Sequence, residues 1–266
     1  MRYIHFCFLC LAMIITSCKD DDATSGTSSG TQQTGTLRGK VSLYDARSRL
    51  VSDRSGVLVQ FEGTPYSTVS DTGGNWSVSN LPTATYSISF SKPGYATFKN
   101  TSYSFIGGGI VRYNNGSVQY LYQPPQYTIT IDAIIPPKNV YSDSLKKMVQ
   151  QNGYIYGHTS DNTPDSVSLQ VLYVTSHKPN FDPNDPTSYT LLWGNQITSS
   201  SLSDSIINIA LNNWPGEGVF TRFSSGDSIY IRAYPASGSS YYDIKSDRTI
   251  IVGLGPSSNL LSAVIP

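Results

Sequence analysis

Apolar and polar residues alternate along most of the chain after residue 36, with a period of two. That period is typical of β-strands that bury one face, whereas a helix repeats its apolar positions about every 3.6 residues. In the first half the alternation predicts strands at 37–43, 57–61, around Trp76 and Val78, and at 86–90, 110–113 and 118–122. Asn114-Asn115-Gly116, which suits positive φ angles, predicts a hairpin between the last two strands.

The second half of the chain shows the same alternation, interrupted by turn-forming residues. It predicts strands at 127–133, 153–159, 167–175, 189–193, 205–211, 228–234 and 248–253. Residues 144–152 fit either a short helix or a loop. Pro124-Pro125 separates the two halves, because neither proline can donate a hydrogen bond to a sheet. The chain is therefore predicted to be all-β, with two β-sandwich domains in tandem at residues 36–123 and 126–266.

The start of the chain is different in character. A positive start at Met1-Arg2 precedes an apolar stretch to Ile15, which is too short to cross a membrane as a helix. Ile15-Thr16-Ser17-Cys18 resembles the lipobox of bacterial lipoproteins. The resemblance implies that residues 1–17 are a signal peptide and that Cys18 is acylated. More than one acyl chain would then hold the protein to a membrane.

The residues after Cys18 bear on location. Lys19-Asp20-Asp21-Asp22 resembles the export signal of Bacteroidetes-type surface lipoproteins, and a solvated charge run is the alternative interpretation. The resemblance implies a lipid-anchored outer-membrane protein exposed at the cell surface. Residues 23–36 are almost wholly Ser, Thr, Gly and Gln, which is typical of a flexible linker, so residues 18–35 are expected to be the lipidated Cys and a flexible linker.

A set of spaced motifs runs through the first half: Gly39-Lys40-Val41, Asp71-Thr72-Gly73-Gly74-Asn75-Trp76, Asn80-Leu81-Pro82 and Lys92-Pro93-Gly94-Tyr95. In this order they resemble the carboxypeptidase regulatory-like domain, a small transthyretin-like β-sandwich, over about residues 36–123. The resemblance implies that Trp76 lies in the core. It concerns the accessory domain only, so it implies no peptidase activity.

The segment Ser228 to Tyr234 resembles the penultimate strand of a fibronectin-type domain, with Ile229, Ile231 and Ala233 pointing inward. The second half is therefore predicted to be an immunoglobulin- or fibronectin-like sandwich. Elsewhere, Gly107-Gly108-Gly109 does not complete a dinucleotide-binding fingerprint and predicts a mobile loop or a bulge.

Composition argues against several functions. The 18 basic residues match 18 acidic ones and are scattered, which disfavours nucleic-acid binding. Cys18 is the only cysteine after the leader, so no internal disulfide and no thiol chemistry are expected. His158, His177, Glu62 and Glu217 form no zinc-binding or paired-carboxylate pattern. We therefore expect a protein that is not an enzyme.

Two kinds of candidate site remain. The acidic loops containing Asp161, Asp165, Asp182 and Asp185 could bind calcium, although the same residues are common in turns. Ligand binding is predicted at Tyr241 and Tyr242, supported by Tyr234 or Trp214, because exposed aromatic rings stack on sugars or partner side chains. The alternative is that these rings cover the core. No other cofactor is predicted.

Together these features predict a non-catalytic cell-surface lipoprotein that acts as a binding or spacer module, for a glycan or a protein partner. Two alternatives stay open. One is a glycan-active hydrolase whose acidic residues converge only in the fold, and the other is a structural subunit of a surface assembly.

Overall fold

The first half of the chain forms two sheets that enclose one core. The computed structural model describes residues 32–136, 138–151, 153–160, 167–199, 209–210 and 223–265. In the first half the strands are β1 Thr34–Tyr44, β2 Leu58–Phe61, β3 Ser67–Val69, β4 Asn75–Pro82, β5 Ala84–Ser91, β6 Phe98–Phe105, β7 Gly109–Arg112 and β8 Val118–Tyr122. One sheet has the order β4-β1-β7, with β8 also paired to β1, and the other has the order β3-β2-β5-β6. Most predicted strands of this half are confirmed, and β3 and β6 are additional.

Trp76 lies at the centre of the first core, as predicted, with 3% of its surface exposed. Its ring contacts that of Phe90 edge-on, with centroids 5.8 Å apart. On β1 the residue opposite Trp76 is Gly39. A Cβ atom at Gly39 would lie 2.4 Å from Trp76 Cζ2, so the indole occupies the space that any larger residue needs. The glycine of the Gly39-Lys40-Val41 motif is therefore required by packing.

The predicted hairpin at Asn114-Asn115-Gly116 is wrong. Strands β7 and β8 both pair with β1 in parallel, one after the other along the same edge. Asn114 and Asn115 do have positive φ angles, of 44° and 55°, but they form a 3-10 turn within an edge strand that continues in one direction. Tyr113 explains the direction, because its fully buried ring packs against Trp76 and Phe90 and holds the turn to the core.

The second half also encloses a core between two sheets. Its strands are β9 Ile129–Ile135, β10 Lys138–Ser142, β11 Lys147–Gln151, β12 Tyr154–Thr159, β13 Val167–Ser176, β14 Leu191–Ser199, β15 Ile209–Ala210, β16 Ser228–Asp243, β17 Arg248–Leu254 and β18 Leu261–Val264. One sheet has the order β15-β12-β9, and the other has the order β14-β13-β16-β17, with β18 paired to β16. Ile229, Ile231 and Ala233 point into the core between them with no exposed surface, as predicted.

Strands β10 and β11 form a separate two-stranded sheet. The prediction of a helix or loop at 144–152 is therefore wrong for residues 147–151, which are strand β11. Tyr141 and Met148 are directly opposite each other in this hairpin, and both are more than half exposed. Within the described ranges there is no α-helix, and no helix there could cross a membrane.

Strand β16 is much longer than predicted and extends beyond the second core. The register with its neighbour β17 shifts between Ala236 and Ser239, where Gly238 has a φ angle of 71°. Such a bulge re-aims a strand without ending it. The far end of β16 then contacts β6 of the first half. From Gln33 onward the chain forms one compact unit.

Candidate functional site

A second, smaller core lies on the outer face of the sheet that contains β13 and β16. Leu172, Val174 and Tyr234 form it, and residues of the connection 177–190 and of β17 cover them. Leu172 is opposite Tyr234 and Val174 is opposite Arg232 in the strand register. Because side chains alternate along a strand, these residues face away from the main core. The connection between β13 and β14 is therefore packed onto the sheet.

Turn hydrogen bonds fix the shape of this connection. Asp182 Oδ1 accepts a hydrogen bond from the Asn184 backbone N–H at 2.8 Å. Asp185 Oδ1 accepts from the backbone N–H of Thr187 at 2.9 Å and from its hydroxyl at 2.8 Å. The hydroxyl of Ser188 lies 2.9 Å from the carbonyl oxygen of Asp182 and accepts from the Asp182 N–H at 2.8 Å. The hydrogen bonds from Thr187 lower the pKa of Asp185.

A depression of about 370 Å³ opens beside this connection. We call it the Arg232 depression, and its walls are Pro179, Asn180, Phe181, Asp182, Ser188 and Arg232. The guanidinium carbon of Arg232 lies over the Phe181 ring, 6.0 Å from its centroid. A cation over a ring face at this distance is attracted by the π electrons. Aromatic, cationic, anionic and amide groups thus meet in one concave surface.

Arg232 lies between the Phe181 ring and Tyr234. Its Nε atom is buried and has no hydrogen-bond partner among the described residues. The side chain as a whole is only partly buried, and it forms no ion pair within the described ranges. Burial raises the pKa of the neighbouring Tyr234, while the charge of Arg232 opposes that rise. The guanidinium therefore lines the depression as a cation without an acidic partner among the described residues.

The structure separates the four residues of the predicted aromatic site. Tyr234 is 8% exposed and belongs to the smaller core, so its ring is not offered to solvent. Tyr241 lies seven residues further along β16, on the order of 20 Å away for an extended strand. Trp214 is outside the described residues. Only Tyr241 and Tyr242 remain neighbours.

The segment around Tyr241 and Tyr242 is strand, although Ser237-Gly238-Ser239-Ser240 before it has the composition of a loop. Tyr241 packs edge-on against Phe98 of the first half, with ring centroids 5.9 Å apart. Tyr242 is 51% exposed, and its hydroxyl donates to Asp247 Oδ1, which raises the pKa of the phenol. Binding at Tyr242 stays a prediction, whereas Tyr241 already has an aromatic partner.

The calcium candidates are divided in a similar way. Asp161 and Asp165 lie outside the described residues. Asp182 and Asp185 direct their carboxylates into turn hydrogen bonds. In the part of the chain that the structure describes, no group of three or more His, Cys, Asp or Glu side chains could hold a metal ion. The turn interpretation accounts for the geometry of Asp182 and Asp185.

Neither of the described histidines, His158 and His177, lines the Arg232 depression. His158 Nδ1 is 2.9 Å from Asp132 Oδ2, and both side chains are about half exposed. His177 packs its ring against Phe223, with centroids 4.9 Å apart, and lies 4.0 Å from Asp227. Sequence reasoning missed Asn180, Phe181 and Arg232 altogether. A signal was present in the alternation of β16, where Arg232 interrupts a run that is otherwise apolar or aromatic.

No family model matches the chain, and no curated protein matches it significantly. Among solved structures, a type II cohesin–X-dockerin complex from Acetivibrio cellulolyticus has 17% identity and a TM-score of 0.28, covering 34% of this chain and 58% of that one. A candidate carbohydrate-binding protein of Bacteroides uniformis has 11% identity and a TM-score of 0.26, covering 88% of this chain and 100% of that one. A DUF3823 family protein of Bacteroides ovatus has 14% identity and a TM-score of 0.25, with coverage of 88% and 100%. Scores of this size do not assign a function.

Proposed function

We propose that the protein is a lipid-anchored, non-catalytic binding module of the bacterial cell surface, and that it binds a neutral glycan in the Arg232 depression. The observation that carries this proposal is the convergence of Asn180, Phe181, Asp182 and Arg232 on one concavity, on a connection whose turns are hydrogen-bonded. Concave sites with a few convergent polar groups are where proteins bind small ligands. A pre-shaped site loses less conformational entropy on binding.

The chemistry of the walls fits a sugar. Each sugar hydroxyl both donates and accepts hydrogen bonds, and the depression offers a carboxylate acceptor at Asp182, a guanidinium donor at Arg232 and an amide at Asn180 that does both. The Phe181 ring supplies an apolar surface for the C–H face of a pyranose. One positive and one negative side chain balance each other, which favours a ligand without net charge.

The same walls argue against hydrolysis. A glycosidase of the usual kind needs two carboxyl groups about 5 to 10 Å apart, one on each side of the scissile bond. Asp182 is the only carboxylate among the described walls of the depression. Asp185, the next carboxylate along the connection, accepts two hydrogen bonds from Thr187. We therefore propose that the bound sugar is retained and not cleaved.

Contacts between the two halves support the spacer role. Thr101 on β6 donates its hydroxyl to the Tyr242 carbonyl oxygen at 3.0 Å and accepts from the Ile244 N–H at 3.2 Å. Together with the Phe98–Tyr241 ring contact, these bonds connect the first core to the strand that forms the centre of the second. A module of this kind presents its ligand site at a fixed position relative to the first core.

The binding experiment is a screen of the mature chain, residues 18–266 with Cys18→Ser, against neutral and acidic polysaccharides, followed by calorimetric titration of the best ligand. Arg232→Gln and Asn180→Ala should weaken binding at least about tenfold, which corresponds to about 1.4 kcal/mol. Tyr242→Ala tests the alternative site and should leave the affinity unchanged. Thermal melting of each variant checks folding.

Three outcomes would contradict the proposal. Loss of binding with Tyr242→Ala but not with Arg232→Gln would move the site to the tyrosine pair. Release of shortened sugars that stops on mutation of Asp182 would show a hydrolase. Concentration-dependent polymerisation without any glycan binding would favour a subunit of an assembly.

The anchor has its own test. Mass spectrometry of the protein extracted from membranes should find acyl chains on Cys18, with residues 1–17 removed. Release of the wild-type protein into the medium, or an unmodified Cys18, would refute the lipid anchor without affecting the glycan proposal.

A further inference from the structure

The two most exposed large apolar side chains among the described residues flank the same short loop. Ile106 is 70% exposed and Ile110 is 62% exposed. They stand at either end of Gly107-Gly108-Gly109, which connects β6 to β7. Single exposed apolar residues are common on protein surfaces, but two of this size separated by only three glycines give this loop an apolar edge. Neither side chain packs into the first core, so the core does not explain why these two positions are apolar.

The loop is tied to the start of the folded chain. All three glycines have φ angles between 69° and 89°, a region that other residues rarely adopt. Gly108 donates its N–H to the Thr34 carbonyl oxygen at 3.2 Å. The Thr83 hydroxyl lies 2.9 Å from the Gln33 carbonyl oxygen and 3.2 Å from that of Ile106. The chain that leads back to Cys18 therefore begins directly beside this loop.

Two arginines extend this edge. In the parallel register of β1 and β7, Thr36 lies beside Ile110 and Arg38 lies beside Arg112. Residues two apart on a strand face the same side, so Ile110, Arg112 and Arg38 share one face. Both arginines are exposed, and neither forms an ion pair within the described ranges. On the other side of Arg38 the neighbouring residue of β4 is Ser77, which carries no charge.

We propose that this β7 patch, formed by Arg38, Ile106, Ile110 and Arg112, rests on an anionic lipid surface. Exposed apolar side chains next to cations match a membrane boundary, where anionic headgroups lie above acyl chains. The position of the patch supports the same occupant, because the folded chain starts at its edge. Residues 18 to 33 can span at most about 50 Å when fully extended, so a lipid anchor at Cys18 keeps the patch near the membrane. The inference rests on the proposed lipid anchor only for this proximity.

The test separates the patch from the anchor. The mature chain with Cys18→Ser carries no acyl group and is sedimented with vesicles of phosphatidylcholine, alone or mixed with phosphatidylglycerol. Binding to the mixed vesicles is expected and should weaken as salt is raised. The double variants Ile106→Asp/Ile110→Asp and Arg38→Glu/Arg112→Glu should each reduce vesicle binding at least about tenfold.

Matched controls come from the second half. Val264→Asp changes an apolar side chain that is also 60% exposed, and Lys146→Glu reverses an exposed cation. Both should bind vesicles like the parent chain. Melting temperatures report whether any variant has lost its fold, and the single variant Ile110→Asp serves if the double variant does not fold.

Several results would overturn the inference. The parent chain could fail to bind mixed vesicles, or the patch variants could bind as well as the controls. None of these results bears on glycan binding at Arg232, and acylation of Cys18 is measured separately.

Discussion

The ring of Tyr241 meets the ring of Phe98 edge-on, with centroids 5.9 Å apart and planes at 68°. Phe98 belongs to β6 of the first sandwich, and Tyr241 belongs to the far end of β16 in the second. An ion pair lies close by: Lys99 of β6 is 2.7 Å from Glu62, and the hydrogen bond to Glu62, together with the negative charges of Glu62 and Asp243, raises the pKa of Lys99. The two sandwiches are thus joined by a ring contact, by backbone hydrogen bonds to Thr101 and by neighbouring charges.

Thr101→Val should weaken this junction. The variant keeps the shape of the side chain but loses the bonds of Oγ1 with the Tyr242 carbonyl and the Ile244 N–H. We expect the free energy of unfolding to fall by about 1 to 2 kcal/mol, since both backbone groups must find water instead. Urea denaturation measures the change. Ser102→Ala on the same strand is the control, and an equal loss there would mean that the effect is not specific to the junction.

Gly39→Ala should destabilise the first sandwich. Elsewhere in a strand this change is neutral or stabilising, because alanine restricts the unfolded chain. Here the new Cβ would lie 2.4 Å from Trp76 Cζ2 and 2.5 Å from Cε2. Overpacking of this kind costs about 1 to 3 kcal/mol. Chemical denaturation followed by tryptophan fluorescence reports the cost, with the exposed Lys40→Ala as control. A stabilised variant would show that the indole can move aside.

The Glu62–Lys99 ion pair should make a small, pH-dependent contribution to the free energy of unfolding. Burial alone would raise the pKa of Glu62, but hydrogen bonds from Lys99 and Ser87 outweigh it and lower the pKa overall. A carboxyl group whose pKa is lower in the folded than in the unfolded state stabilises the fold at pH values above the unfolded pKa of about 4.3. This contribution to the free energy of unfolding is lost as the pH falls through the folded pKa. Both side chains are about one third exposed, so the contribution is under about 1 kcal/mol.

Glu62→Gln should therefore be slightly less stable than the parent at pH 7. As the pH is lowered to 2 the difference in stability should shrink, because the charge of the parent's carboxyl is lost as the pH falls through its lowered folded pKa. Urea denaturation at both pH values makes the comparison. A difference that stays constant across this range would mean that packing, and not charge, distinguishes the variant.

Asn259 clamps strand β9 with its side chain. Its Nδ2 donates to the Ile131 carbonyl oxygen, and its Oδ1 accepts from the Ile131 N–H, both at 2.8 Å. Asn259→Asp cannot donate and places a negative charge against the carbonyl oxygen. We expect a loss of about 2 kcal/mol at pH 7, larger than that of Asn259→Ala.

Acid should partly rescue the aspartate variant. The folded state disfavours the charged form, so the pKa of the new carboxyl is raised and stability returns as pH falls through it. Urea midpoints of Asn259→Asp and Asn259→Ala at pH 7 and pH 4 provide the measurement. If Asn259→Asp gained no stability relative to Asn259→Ala at pH 4, the hydrogen bonds between Asn259 and Ile131 would not depend on donation by the amide.

The parts of the fold that depend on residues close together in the sequence could be predicted from it. Alternation placed most strands of the first sandwich, and the motif that begins at Asp71 forms a turn, where Asp71 Oδ1 accepts from the Asn75 N–H at 2.8 Å. The hairpin at Asn114-Asn115 failed although the local φ angles were right. Its direction is decided by the burial of Tyr113 in a core built from distant strands, which local sequence does not reveal.

The candidate site was harder to predict than the fold, because it depends more on contacts between residues that are distant in the sequence. Ser237 to Tyr242 has the composition of a loop, but pairing with β17 makes it strand and brings Tyr241 against the first sandwich. Phe181 and Arg232 come from a connection and a strand that are far apart in the sequence, and nothing local marks them as neighbours. Tyr234 was expected near a surface, yet the connection that folds over it covers its ring.

The position of β1 has a mechanical consequence. The strand through which the chain enters the fold is hydrogen-bonded on both sides, to β4 along one edge and to β7 and β8 along the other. A pull on residue 33 along the strand axis must slide β1 past all three neighbours together, so the load is shared by many bonds in shear. Peeling an edge strand would break the same bonds one at a time. The fold therefore begins at a place suited to bear a force that is applied through residue 33.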